Sequence, residues 1–152
     1  MIQNNFKIII PIFNSEKWVK KCLDSVKSQT YKNYEVIVIN DCSTDRTGDI
    51  IRHEIKGFDK FFFIDNIEKS CALENTVKGI RYICKHDEDI IVILDGDDWF
   101  ADETVLEYMN EVYQEDIWMT WGSFKLSTTD KLCEHKGFNW CVPVREEFNR
   151  RT

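Results

Sequence analysis

The densest chemistry in the sequence is the stretch Ile93-Leu94-Asp95-Gly96-Asp97-Asp98-Trp99, where an apolar run ends in three carboxylates within four positions. In extended chain, residues two apart project to one side, so Asp95 and Asp97 would repel each other unless one is protonated or a cation lies between them. A hard divalent ion suits such a pair. Mg2+ or Mn2+ takes about six oxygens, one or two from protein carboxylates and the rest from phosphate and water. Asp98 adds a further oxygen donor, and Gly96 would let the backbone approach a ligand closely. The same residues would also make an acidic turn leading into the next helix, since Asp102 and Glu103 follow at once. Asp41 lies just past another apolar run, where a carboxylate can accept a hydrogen bond from a ribose hydroxyl or from a base with a ring N–H, as uracil has at N3. It would serve equally in an Asx turn or as a cap for a helix starting near Asp45. Phe13, at the exit of the first apolar run, offers a ring for stacking on a base and is also an ordinary core residue.

To act together, positions 13, 41 and 95 must be carried to one place by the elements before them. Short β-rich apolar runs at residues 6–12, 35–39, 61–64 and 90–94 predict strands. Helical stripes alternate with them: Trp18, Val19, Cys22, Leu23 and Val26, then Leu73, Val77, Ile80 and Cys84, then Val105, Leu106, Met109 and Val112. Ser15, Thr44 and Ser70 are the expected caps. Runs as apolar as Ile8-Ile9-Ile10 and Ile90 to Leu94 call for cover on both faces, as parallel strands in α/β domains have. The expected fold is therefore an open, doubly wound, mostly parallel sheet with helices on both faces. With the strand order 3-2-1-4, the loops after the first and fourth strands lie side by side at the carboxyl edge, where ligand crevices form. Pro11-Ile12-Phe13-Asn14 would then face Asp95-Gly96-Asp97-Asp98, with Asn40 to Ser43 next to the first loop. Trp118 to Leu126 reads as one more strand.

At 152 residues, 43% hydrophobic and 31% charged, the chain can bury the core of one domain, with residues 1–126 as its body and 127–152 as a tail. A net charge of -7 argues against a nonspecific grip on nucleic acid. Residues 86–124 hold 12 acidic side chains and neither Lys nor Arg, so carboxylates there have no local partner. No apolar run approaches the roughly 18 residues of a membrane span, and no signal peptide is recognisable, which leads to the expectation of a cytoplasmic protein. The six cysteines form no CxxC pair and no zinc spacing with histidine, so reduced thiols are expected.

Three segments in order, FKIIIPIFNS (Phe6 to Ser15), SVKSQTYKNYEVIVINDCSTDRT (Ser25 to Thr47) and IVILDGDDWF (Ile91 to Phe100), resemble the donor-binding half of family 2 glycosyltransferases of the Rossmann-like GT-A fold. The likeness runs over roughly residues 6–126. It implies a nucleotide-sugar site, usually for a UDP-sugar, whose sugar passes with inversion to a hydroxyl of a glycan, protein or lipid acceptor. By the same resemblance, Phe13 stacks on uracil beside the Pro11 backbone, with Asn14 in the same loop, and Asp41 binds the base. Asp95 reaches the ribose or the metal, Asp97 coordinates the Mn2+ or Mg2+ that bridges the diphosphate, and Asp98 is the second choice of ligand.

Asn40 stands where the family commonly has aspartate, Cys42 where it has glycine, and Glu74 where many relatives carry a basic residue near the phosphates. The run Asp116 to Phe124 is similar to a variant among relatives in large DNA viruses, whose setting would be the host cytoplasm. The tail carboxylates Asp130, Glu134, Glu146 and Glu147 form no recognisable catalytic-base motif, so donor binding is better supported than complete transfer, and a second copy or a partner would supply the acceptor wall. Trp121, Phe138 and Trp140 would form a sugar platform or simply pack. Two other readings compete. Haloacid-dehalogenase-like phosphatases also place Asp-x-Asp after a strand, which would make Asp95 a nucleophile and Asp97 its acid/base. The other is a noncatalytic nucleotide-sugar-binding module.

Overall fold

In the computed structural model, which describes residues 2–114, 117–121, 124–125 and 132–133, the four apolar runs are strands β1 (Phe6–Ile12), β2 (Tyr34–Asn40), β3 (Phe61–Asp65) and β4 (Ile90–Ile93). Helices α1 (Val19–Lys27), α2 (Thr47–Glu54) and α3 (Ala72–Ile83) connect them, and α4 (Val105–Val112) follows β4. All pairings are parallel and the order is β3-β2-β1-β4, as expected, with Ile8 level with Val36 on one side and Val92 on the other. Every strand thus delivers its carboxyl end to the same edge.

β1 is buried along its whole length. On one face Ile9, Ile37 and Ile39 pack with Ile83 of α3. Ile8, Ile10, Val36 and Val38 point the other way and are equally buried, so a second layer covers them. The apolar residues that layer needs are Val19, Cys22, Leu23 and Val26 of α1 and Ile51 of α2, two helices that pack on each other. Cover on both faces does not extend to β4, where Ile91 and Ile93 are 41% and 59% exposed. A buried Gln29 joins α1 to the segment before α4, its amide donating to the Asp102 carbonyl at 2.6 Å and accepting from the Leu106 N–H at 3.0 Å.

The stripe read on α3 holds only in its second half, where Ile80 and Cys84 pack against the core. Leu73 and Val77 are exposed, and the buried residues are Asn75, Thr76, Gly79 and Ile83. Closeness of approach is the reason: a Cβ on Gly79 would lie 2.6 Å from Ile9 Cγ2 and 3.0 Å from Ile39 Cδ1. Gly79→Ala should therefore destabilise the protein by about 1–2 kcal/mol in urea unfolding, the overpacking of three fixed isoleucines outweighing alanine's better helix propensity. An increase in stability would contradict this packing.

The expected caps also need correcting. Ser15, Thr44 and Ser70 give no side-chain cap to α1, α2 or α3. Asp45 takes over at α2, its two oxygens accepting from the Thr47 N–H at 3.0 Å and the Glu16 N–H at 3.1 Å. Residues 1–110 form one compact unit and residues 111–152 a second. Within the second, residues 118–121 have no regular structure, and Phe124–Lys125 (β5) pairs antiparallel with Leu132–Cys133 (β6). The rest of the run read as a strand, like the tail carboxylates Asp130, Glu134, Glu146 and Glu147 and the aromatic residues Phe138 and Trp140, lies outside the described residues.

Candidate functional site

Past the strand ends, hydrogen bonds continue the sheet into its loops. The Asp41 N–H donates to the Ile12 carbonyl at 2.8 Å, Asn66 to Asn40 at 2.9 Å, and Gly96 to Pro11 at 3.2 Å. Asn14 ties the first two loops together: its N–H donates to Ser43 Oγ at 2.9 Å, and its Oδ1 accepts from the Thr44 N–H at 2.8 Å. Asn14 and Cys42 have φ of 48° and 58°, left-handed values that explain why glycine would suit position 42 and why a short polar side chain suits position 14. These links hold the loops bearing Phe13, Asp41 and the Asp95–Asp98 turn along one edge of the sheet, as the strand order required.

Asp41 is 6% exposed and does not cap the neighbouring helix. Both its hydrogen bonds among the described residues end on Oδ1, from the Ser70 N–H at 2.7 Å and from Asn66 Nδ2 at 3.0 Å. Burial works against its charge but is outweighed by the Ser70 N–H, the Asn66 and Asn75 amides and the Lys69 charge, so the carboxyl titrates below the usual carboxylate range. Asn75 is 1% exposed; its Oδ1 accepts from Asn66 at 2.8 Å, and its Nδ2 completes no hydrogen bond among the described residues. Phe13 is half-exposed beside this network, with Lys69 Nζ 3.5 Å from its ring centroid.

Asp95, Asp97 and Asp98 are all exposed and none takes part in the described ion pairs. Nor do they cap α4. That task falls to Asp102, whose Oδ1 accepts from the Thr104 N–H at 2.8 Å. The turn is closed by the Asp98 N–H on the Asp95 carbonyl at 2.9 Å. Burial first, and then the charges of Asp97 and Asp95, raise the Asp98 carboxyl above its usual range. Beneath the turn, Cys22 Sγ lies 3.9 Å from the Asp95 carbonyl; burial, and after it the three aspartates, pushes the thiol up to about 12, which keeps it protonated and unreactive at neutral pH.

Gly96 has a packing role that the sequence did not announce. A Cβ there would meet Ile12 at 2.4 Å, so glycine lets the turn lie against β1. Among the described residues no three His, Cys, Asp or Glu side chains converge as a closed metal cage. The donors nonetheless fit a Mg2+ or Mn2+ held through one or two carboxylates, with phosphate and water completing the shell.

Sequence reasoning missed the whole β3–α3 loop, whose Asn66, Lys69 and Ser70 all bear on Asp41 or Phe13. The signal was available in the strand order, which sets that loop beside the one after β2. It also missed the stacked Trp18 and Trp99, 6.0 Å apart, with Lys21 Nζ 3.6 Å from the Trp99 ring. Two open concavities of about 360 and 460 Å3 flank Asp65 and Asn66, and neither is lined by Phe13, Asp41 or the acidic turn. The four described cysteines are free, and no helix among the described residues is long and apolar enough to cross a membrane.

Comparison with known proteins bears on this crevice. The family profile described as Glycosyl transferase family 2 matches residues 7–138. Glycosyltransferase GlyA of Streptococcus pneumoniae is 31% identical over 120 residues, 77% of this chain and 16% of that protein. The poly(ribitol-phosphate) beta-glucosyltransferase of Bacillus spizizenii is 30% identical over 120 residues, 78% of this chain and 19% of that protein. The chain thus spans under a fifth of the length of these two relatives. Among solved structures, S. aureus TarS 1–349 in complex with UDP-GlcNAc superposes with a TM-score of 0.62 at 23% identity, covering 72% of this chain and 31% of that one. The mannosyltransferase PcManGT from Pyrobaculum calidifontis, in complex with GDP-Man and Mn2+, gives 0.63 at 21% identity over 70% of this chain and 31% of that one.

Proposed function

The chain belongs to glycosyl transferase family 2, and from that premise we propose that its crevice binds a UDP-sugar with a divalent metal ion and presents the sugar to an acceptor hydroxyl. The observation that carries this reading is the Gly96 N–H on the Pro11 carbonyl at 3.2 Å, which joins the three-carboxylate turn to the loop bearing Phe13, with the buried Asp41 alongside. Phe13 stacks on the base and Asp41 accepts its ring N–H. A carboxylate acceptor opposite the ring nitrogen favours uracil, which has an N3–H there, over cytosine and adenine, which present a bare ring nitrogen. The UDP-GlcNAc of TarS supports this choice; the GDP-Man of PcManGT makes GDP the comparison ligand, since guanine too has a ring N–H.

Asp97, with Asp95 or Asp98, holds Mg2+ or Mn2+. When bound, that ion supplies positive charge against the negative charge that builds on the departing nucleoside diphosphate. The acceptor oxygen attacks the anomeric carbon as its bond to the β-phosphate oxygen breaks, a single displacement that inverts the centre. The acceptor proton passes to a base that none of the assigned crevice residues provides. The acceptor itself is a hydroxyl of a glycan, protein or lipid. Family membership sets aside the phosphatase reading of Asp95 and Asp97.

Calorimetric titration tests the reading. UDP should bind the folded protein in Mn2+ or Mg2+ and lose most of its affinity in EDTA. Absence of binding in Mn2+ would overturn the proposal, and binding without hydrolysis or transfer of UDP-glucose across a panel of acceptors would favour the noncatalytic module.

A further inference from the structure

One cation, Lys69, rests on the very ring that the donor-site reading gives to the base. Lys69 is exposed, its Nζ lies 3.5 Å from the centroid of the Phe13 ring, and the next residue, Ser70, is pinned to Asp41 by its N–H at 2.7 Å. No described ion pair uses it. Much of the charge on the neighbouring loops is negative: Asp95, Asp97 and Asp98 on one loop, and Glu74 in the first turn of α3. A diphosphate running from a base on Phe13 to an ion at Asp97 would meet these carboxylates with one metal ion to offset them. The ring face that Lys69 covers is also the face a base needs.

We propose that Lys69 is the phosphate-binding residue of the donor site, resting on Phe13 in the free protein and moving its ammonium group onto the diphosphate as the base takes the ring. This rests on the donor-site reading above and deepens it. An exposed ammonium over a phenyl ring is a weak contact, whereas ammonium on phosphate is a charge-assisted hydrogen bond, so the exchange rewards a nucleoside diphosphate and penalises a bare nucleoside.

The test compares UDP with uridine in Mn2+, by calorimetry for the first and displacement for the second. Lys69→Met should weaken UDP about tenfold and leave uridine unchanged or tighter, while Lys69→Arg, which keeps the charge, should hold UDP within about threefold of wild type. Thermal denaturation of each variant at the wild-type temperature confirms the fold. Equal loss for UDP and uridine in Lys69→Met, no loss for UDP, or a loss in Lys69→Arg as large as in Lys69→Met each overturns the assignment while leaving the donor site intact. Failure of the wild-type protein to bind UDP overturns both.

Discussion

Asp97→Ala protein should bind UDP about a hundredfold more weakly than wild type in Mn2+, and with the same affinity in Mn2+ as in EDTA. The effect is large because the acidic turn carries no cation of its own: residues 86–124 contain no Lys or Arg, and Asp95, Asp97 and Asp98 enter none of the described ion pairs. The Asp98 carboxyl is raised by burial first and then by repulsion from the charges of Asp97 and Asp95. Removing Asp97 relieves that repulsion, so the variant should fold at least as well as wild type. Reduced UDP affinity in a stable protein therefore separates a ligand role from a structural one. Should UDP bind Asp97→Ala tightly and still require manganese, the ion is held elsewhere and the reading of this turn is wrong.

Which parts of this arrangement can be read from residues follows from where each residue's partner lies. Ile8-Ile9-Ile10 and Val36 to Ile39 are apolar on both sides and too short to be anything but buried parallel strands, and from them the order β3-β2-β1-β4 and the meeting of residues 13, 41 and 95 follow by topology. Asp95, Asp97 and Asp98 are legible because three carboxylates in four positions abruptly end an apolar run. The face of α3 is only partly legible, because the helix comes so close that small and polar residues, Gly79, Asn75 and Thr76, are among the buried ones and Leu73 is left outside. The partners of Asp41 are hidden for a related reason. Asn66 and Ser70 lie 25 and 29 residues further along, and nothing local to either announces that its donor turns toward the next loop. Capping shows the same limit: Ser15, Thr44 and Ser70 have the right chemistry, but Asp45 and Asp102 have the right position.

The Asp41→Asn protein should exchange its preference for UDP for one for CDP, because the hydrogen bonds around this residue fix which way an amide must sit. Ser70 N–H and Asn66 Nδ2 both donate to Oδ1, at 2.7 Å and 3.0 Å. An asparagine side chain keeps these two bonds only with its carbonyl oxygen in that place, which puts its NH2 where Oδ2 was. A donor there opposes the N3–H of uracil and matches the bare N3 of cytosine. UDP should weaken by about thirtyfold to a hundredfold, and CDP should tighten by about tenfold, from one hydrogen bond lost with its donor left facing a donor and one gained. Asp41→Ala, by contrast, should weaken UDP without helping CDP, and should cost about 1 kcal/mol of stability by removing the acceptor of the half-buried Ser70 N–H and one of the two acceptors of Asn66 Nδ2.

The pH dependence follows from the direction of the Asp41 titration. Its folded-state carboxyl lies below the ordinary 3.8, so the stability it contributes is present in full above that value and disappears as pH falls through the depressed one. Between neutral pH and 3.8 the residue stays charged, and the contrast between wild type and Asp41→Asn in UDP against CDP should persist wherever the metal-dependent part of binding can still be measured. Parallel weakening of UDP and CDP in Asp41→Asn would mean that Asp41 braces the β3–α3 loop and never touches the base. The nucleobase would then have to be read elsewhere, and Phe13 and the acidic turn would no longer define one ligand between them.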